Sequence, residues 1–280
     1  MKWALTTVSY RYHLYSFVEL ITMARACGFQ CIELWDPHLK NNQYDILSCI
    51  NNDQALALPI EVLSAYQDLT DFSDFKWQEK LAEKMISCHK VGAHALRLFS
   101  GQLSSFDADE GHWKEWFKRL DYLECISTRY KIKVVFETHP GTFLDSVQGV
   151  ERLIEQIKLK NWENIRINFD VFHVWEFGTD PLEMLQKWYP FIGHIHLKNA
   201  SRKTGQFTFT NVYHPMGCFD ELVSLFEGIV DIENIITWLS RHKYDKTLTL
   251  EWFGRPDVKF FGKELSRLNE IVGSEKELYV

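Results

Sequence analysis

Residues 133–170, KVVFETHPGTFLDSVQGVERLIEQIKLKNWENIRINFD, hold one complete unit of a repeating pattern. An apolar β-rich run, Lys133–Glu137, ends in a carboxylate. An amphipathic stretch, Ser146–Ile157, follows with apolar residues at three- and four-residue steps, the helical period. A second β-rich run, Arg166–Asp170, closes the unit on another carboxylate. Strand, helix and strand in so short a segment predict two parallel strands joined by a right-handed helical crossover.

The alternation continues in both directions. Further strand candidates are Trp3–Ser9, Cys31–Trp35, Ile60–Ser64 and Ala95–Phe99 upstream, with His194–Leu197 and Thr247–Trp252 downstream. Helical stretches cover Ser16–Cys27, Phe75–Val91, Gly111–Tyr130, Pro181–Trp188 and Ile232–Arg241. Ser73 and Asp74 are expected to start the helix after the third strand. Asp180-Pro181 sets a capping carboxylate before a proline at the first helical position. Eight units in 280 residues give 35 residues each, and eight favour a closed barrel over an open sheet. No Gly-rich phosphate loop follows the first strand, where an open nucleotide-binding sheet would carry one. The expected fold class is α/β, a single (β/α)8 TIM barrel forming one domain over residues 1–280. Its longest unpatterned stretch is 199–218, containing Phe207, Phe209, Tyr213 and Pro215. That aromatic content predicts a loop packed over the barrel mouth.

Composition narrows the function. Hydrophobic residues at 46% and charged residues at 25% are those of a globular chain, which excludes disorder. No apolar run approaches the roughly 20 residues needed to cross a bilayer. The first residues lack the apolar stretch of a signal peptide. A net charge of −7 counts against a phosphate-tracking nucleic-acid surface. Six scattered cysteines without a CxxC pair read as free thiols in a reducing cytoplasm.

In such a barrel, polar residues at the C-terminal ends of the strands converge on one mouth. The last four strands each deliver a candidate metal ligand: Glu137, Asp170, His196 and Glu251. Three carboxylates and one imidazole suit Mn²⁺, Mg²⁺ or Co²⁺ better than the thiolate-rich sets of structural zinc. His139, His173 and Lys198 follow these strands closely, Arg97 lies within the fourth strand, and Glu33 within the second. A charge inside a barrel strand costs several kcal/mol, roughly, unless it is paired. Arg97 therefore requires an anion, either Glu33 or a substrate carboxylate. His89, His94, His112, His214 and His242 read as surface or capping residues.

Several motifs extend this reading: Val8-Ser9-Tyr10-Arg11, Ile32-Glu33-Leu34-Trp35, Glu137-Thr138-His139-Pro140, and His173-Val174-Trp175-Glu176 after Asp170. His196-Leu197-Lys198-Asn199, Asn211-Val212-Tyr213 and Glu251-Trp252-Phe253-Gly254 complete the series. Together they resemble the xylose-isomerase-like barrels, and within them the 3-dehydroshikimate dehydratase branch of petrobactin-type siderophore pathways. The resemblance implies a hydro-lyase that converts 3-dehydroshikimate, a small cyclic hydroxy-keto acid, to protocatechuate, for siderophore biosynthesis or aromatic metabolism. It implies one divalent cation on Glu137, Asp170, His196 and Glu251, with Mn²⁺ or Mg²⁺ ahead of Co²⁺ and Zn²⁺. Glu33, Tyr66, Arg97, Lys198, Tyr213 and Phe253 are then expected against substrate. His139 is expected as the base, His173 as a second proton carrier, and Arg97 and Lys198 as anion holders. Gly141 departs from the pattern, standing where asparagine is expected. The rival reading is a sugar or sugar-phosphate isomerase or epimerase using Glu137 and Glu251 as an acid/base pair. Abasic-site endonuclease relatives would need a basic groove, which the net charge disfavours. Trp and Phe on outer helices leave a homo-oligomer open.

Overall fold

The computed structural model describes residues 1–52, 58–202 and 221–277. Eight parallel strands close into a barrel: β1 (Lys2–Thr6), β2 (Cys31–Trp35), β3 (Ile60–Ser64), β4 (Ala95–Phe99), β5 (Lys133–Glu137), β6 (Ile165–Asp170), β7 (Ile192–Leu197) and β10 (Thr247–Leu250). A short antiparallel pair, β8 (Asn199–Ala200) with β9 (Leu222–Val223), lies between β7 and β10. Pairing of β1 with β10, from Lys2 opposite Thr247 to Leu5 opposite Leu250, joins the two ends of the sheet. Strands buried on both faces read as continuous apolar runs, which is why the β candidates stood out.

Around the barrel run α1 (Phe17–Cys27), α2 (Asp36–Asn41), α3 (Gln43–Asn52), α4 (Trp77–Lys90), α5 (Glu110–Tyr130), α6 (Val147–Lys160), α7 (Val171–Glu176), α8 (Pro181–Trp188), α9 (Ile232–Arg241) and α10 (Val258–Glu277). Their apolar stripes meet the outer strand faces, with Trp116, Trp188, Phe136 and Phe169 fully buried between the layers. Local chemistry sets the helix ends. Ser16 and Glu19 form a reciprocal capping box on α1, and Gly28 ends it at φ +98°. Asp180 caps α8 from in front of Pro181, as expected.

Three expectations need correction. The first strand ends at Thr6, and Thr7–Tyr10 turns into a short 3₁₀ helix instead of continuing to Ser9. Ser73 and Asp74 do not cap α4. The Asp71 and Asp74 carboxylates accept from nearby amides in a preceding turn, and the helix starts from Lys76 without a side-chain cap. Helices α2, α3, α7 and α10 go beyond the expected set. In α10, Phe261, Leu265 and Leu268 form the buried stripe that packs beside α1 and α9. The loop expected over 199–218 falls mostly outside the described residues. At its start Asn199 is buried, donating from Nδ2 to the Leu225 and Val230 carbonyls at 2.8 Å.

The barrel interior is unusually polar. Glu33, Ser64, Arg97, Asn168, His194, His196 and Thr249 are all buried on its strands, where side chains of a barrel of this kind are mostly branched and apolar.

Candidate metal centre and active site

Strand alternation turns Glu137, His196 and Asp170 inward at the C-terminal ends of β5, β7 and β6, and Glu251 follows directly after β10. One donor atom from each lies within 4.8 Å of the others, and all four residues are buried. His196 Nδ1 stands 3.5 Å from Glu137 Oε1, 3.9 Å from Asp170 Oδ2 and 4.0 Å from Glu251 Oε2. Asp170 also caps α7. Its Oδ1 accepts from the Phe172 and His173 amides at 3.0 Å, which leaves Oδ2 facing the cluster.

Lys198 reaches into the same cluster. Its Nζ lies 2.7 Å from Glu251 Oε2 and 3.0 Å from Asp170 Oδ2, and donates to His173 Nε2 at 2.7 Å. The opposite nitrogen of His173, Nδ1, donates to Glu176 Oε2 at 2.5 Å, so both faces of this imidazole are engaged. The His139 ring lies edge-on to His173 with centroids 4.5 Å apart. Its Nδ1 donates to the Pro140 carbonyl at 2.8 Å, which makes Nε2 the basic nitrogen of the ring. Tyr66 stacks on Phe99, takes a hydrogen bond from Trp35 Nε1 at 2.8 Å, and has the Arg97 guanidinium 5.3 Å from its ring centre. Phe253 lies beside Lys198 and Arg11.

Charge and burial set the protonation states. Burial pushes the His139 imidazole down to about 4, against the pull of Glu137. Burial and Lys198 likewise hold His173 well below the ordinary imidazole value, so both rings are neutral at neutral pH. Burial works against the Lys198 ammonium, yet Asp170 and Glu251 hold its pKa above the usual range. Burial also opposes ionisation of Glu137, but His196 and Arg97 beside it keep the carboxyl well below its usual value.

The donor set fits a divalent cation. Glu137 Oε2, Asp170 Oδ2 and His196 Nδ1 are buried without an aligned hydrogen-bond partner among the described residues. Three buried carboxylates, Glu137, Asp170 and Glu251, converge there with the His196 imidazole, and oxygen-rich donors suit Mn²⁺ or Mg²⁺.

Two expectations about partners change. Arg97 does not pair with Glu33; its Nε lies 3.2 Å from Glu137 Oε2. Glu33, expected against substrate, is fully buried among Ser64, His194 and His196. Tyr213 lies outside the described residues. His194 and Glu176 were not singled out from the sequence. Their signals were present: His194 sits two positions before His196 on one strand, hence on the same face, and Glu176 lies one helical turn after His173.

The model of the xylose isomerase-like TIM barrel family matches residues 21–271. The chain belongs to this family. It is 33% identical over 264 residues to a 3-dehydroshikimate dehydratase of Bacillus anthracis, covering 91% of each chain. The crystal structure of the probable 3-DHS dehydratase AsbF, involved in petrobactin synthesis in that organism, matches with a TM-score of 0.85. There the identity is 31%, over 96% of this chain and 99% of that one. A zinc-bound IOLI protein matches at TM-score 0.71 and 15% identity, a likeness of fold alone. Among the described residues no helix is long and apolar enough to cross a membrane.

Proposed function

We propose that this chain is a metal-dependent 3-dehydroshikimate dehydratase, a hydro-lyase forming protocatechuate and water. The observation that carries the reading is the match along 91% of both chains to an enzyme of that activity. The neutral His139 imidazole, the Lys198 ammonium and the Arg97 guanidinium around the carboxylate cluster suit the chemistry. Residues 1–280 act as one catalytic domain, and the thiol state of the five described cysteines fits a cytoplasmic enzyme.

Glu137, Asp170, His196 and Glu251 would hold one divalent cation, Mn²⁺ or Mg²⁺ first, with Zn²⁺ also to be tested because a relative of this fold binds it. Such an ion supplies Lewis-acid polarisation of the substrate ketone and neutralises charge that develops beside it. The rest falls to the protein. His139 Nε2 takes the proton from carbon 4, its Nδ1 being held by the Pro140 carbonyl. The same imidazolium then returns that proton to the departing 5-hydroxyl, which leaves as water. Loss of a proton from carbon 6 with enolisation of the ketone completes the aromatic ring. His173 is better suited to holding Lys198 than to carrying protons, since both its nitrogens are engaged. Lys198 and Arg97 place positive charge against the developing oxyanion or the substrate carboxylate. Tyr66 and Phe253 wall the ring, and no nucleic acid or membrane enters this scheme.

The test is an ultraviolet assay on chelator-stripped protein with 3-dehydroshikimate, with Mn²⁺ or Mg²⁺ restored. The expected result is protocatechuate absorbance that depends on the added ion. No product with any ion would overturn the dehydratase reading and direct the work to ketoses, for isomerase or epimerase activity.

A further inference from the structure

Beneath the four converging donors lies a second polar layer that the proposed chemistry does not use. Glu33 is fully buried there, and both its oxygens are engaged. Oε1 accepts from Ser64 Oγ and lies 3.1 Å from His196 Nε2. Oε2 lies 3.0 Å from His196 Nε2 and 3.0 Å from His194 Nε2, and His194 Nε2 also sits 2.9 Å from Thr249 Oγ1. On the other edge of the His196 ring, Nδ1 has no hydrogen-bond partner among the described residues and faces the Glu137, Asp170 and Glu251 carboxylates. A neutral imidazole carries one proton. On Nε2 that proton has two acceptor oxygens within 3.1 Å; on Nδ1 the nearest of these carboxylate oxygens, Glu137 Oε1, stands at 3.5 Å without an aligned bond.

We propose that Glu33 is a positioning residue of the cation site. It accepts the Nε2–H of His196, fixing the tautomer and ring plane in which the Nδ1 lone pair points into the carboxylate cluster. A metal-ligating histidine whose other nitrogen is held by a carboxylate is oriented and made more basic. Glu33 supplies that carboxylate from β2, three strand pairings away from β7 around the barrel. Ser64 restrains Glu33 in turn. This inference rests on the reading of the cluster as a divalent-cation site, and not on the identity of the substrate.

The experiment titrates the chelator-stripped full chain with Mn²⁺ by calorimetry, without substrate. Glu33→Gln keeps the volume but weakens the acceptor, and its Mn²⁺ affinity is expected to fall by about 10- to 100-fold. Ser64→Ala removes a hydrogen bond to the same carboxylate without touching the imidazole, and is expected to bind within about threefold of wild type. Unchanged affinity in Glu33→Gln overturns the proposal. So does an equal loss in both variants, which would mean general loosening of the barrel. Two ions per wild-type chain would also overturn it, making Glu33 a ligand. Should Glu33→Gln not fold, histidine-¹⁵N spectra of the wild-type protein with Mg²⁺ decide. A proton on His196 Nε2 supports the proposal and one on Nδ1 ends it. A wild-type chain that binds no divalent ion removes the cation reading itself, whereas failure of the dehydratase assay alone leaves this inference standing.

Discussion

Asp170 Oδ1 accepts from two amides of α7 at 3.0 Å while Oδ2 faces Lys198 and His196. One side chain therefore serves both as helix cap and as cluster donor, and substitution can separate the two. Asp170→Asn keeps an oxygen for the cap, so its cost in stability should stay within about 1 kcal/mol. It removes a negative charge from the cluster, so Mn²⁺ affinity should drop at least about tenfold; denaturation and calorimetry check the two halves. His139→Ala should lose about 10²- to 10⁴-fold in turnover while binding the ion like wild type. Near-normal turnover would remove His139 as the base. At this scale the candidate ligands were legible, since each ends an apolar strand run. The partner of Arg97 was not. Glu33 lies two strands from Arg97, with Ser64 between them, whereas Glu137 is on the neighbouring strand, two positions along in register. Only the register decides which carboxylate is near.

Helix α6 shows how an element's surroundings reverse a local preference. Gly149 lies in its first turn, where helix propensity alone makes alanine better by about 1 kcal/mol. A Cβ there would overlap the Phe143 carbonyl oxygen and crowd Ser105. Gly149→Ala should therefore destabilise the chain by about 1–3 kcal/mol, read from the urea midpoint. Helix α2 carries a pH dependence of its own. Burial pushes the His38 imidazole down to about 4 from 6.5, and its Nδ1 has no hydrogen-bond partner among the described residues. Between those values the unfolded chain binds a proton that the folded chain refuses. The group's contribution thus falls as pH drops through the window. His38→Gln should flatten the loss of stability between pH 6.5 and 4 relative to wild type, as measured by urea denaturation across that range.

The whole barrel is held shut at one seam, where β1 pairs with β10 and α10 packs against α1. Its mouth concentrates carboxylates from three strands, Glu137, Asp170 and Glu251, so cation binding and folding are linked. Adding Mn²⁺ at about 100 times its dissociation constant should stabilise the stripped protein by about 2.7 kcal/mol. A rise in melting temperature with Mn²⁺, reversed by chelator, is the expected readout. No shift would mean that the cluster does not bind the ion in the folded state.

Strand and helix periods, the eight-unit count and the strand-end carboxylates were written in the sequence, because side-chain alternation and amphipathic spacing are local properties. Closure of the barrel, the pairing of Arg97 with Glu137 and the burial of Glu33 beneath His196 were decided by tertiary structure. They join residues from separate strands, whose proximity depends on register and curvature that no local pattern encodes.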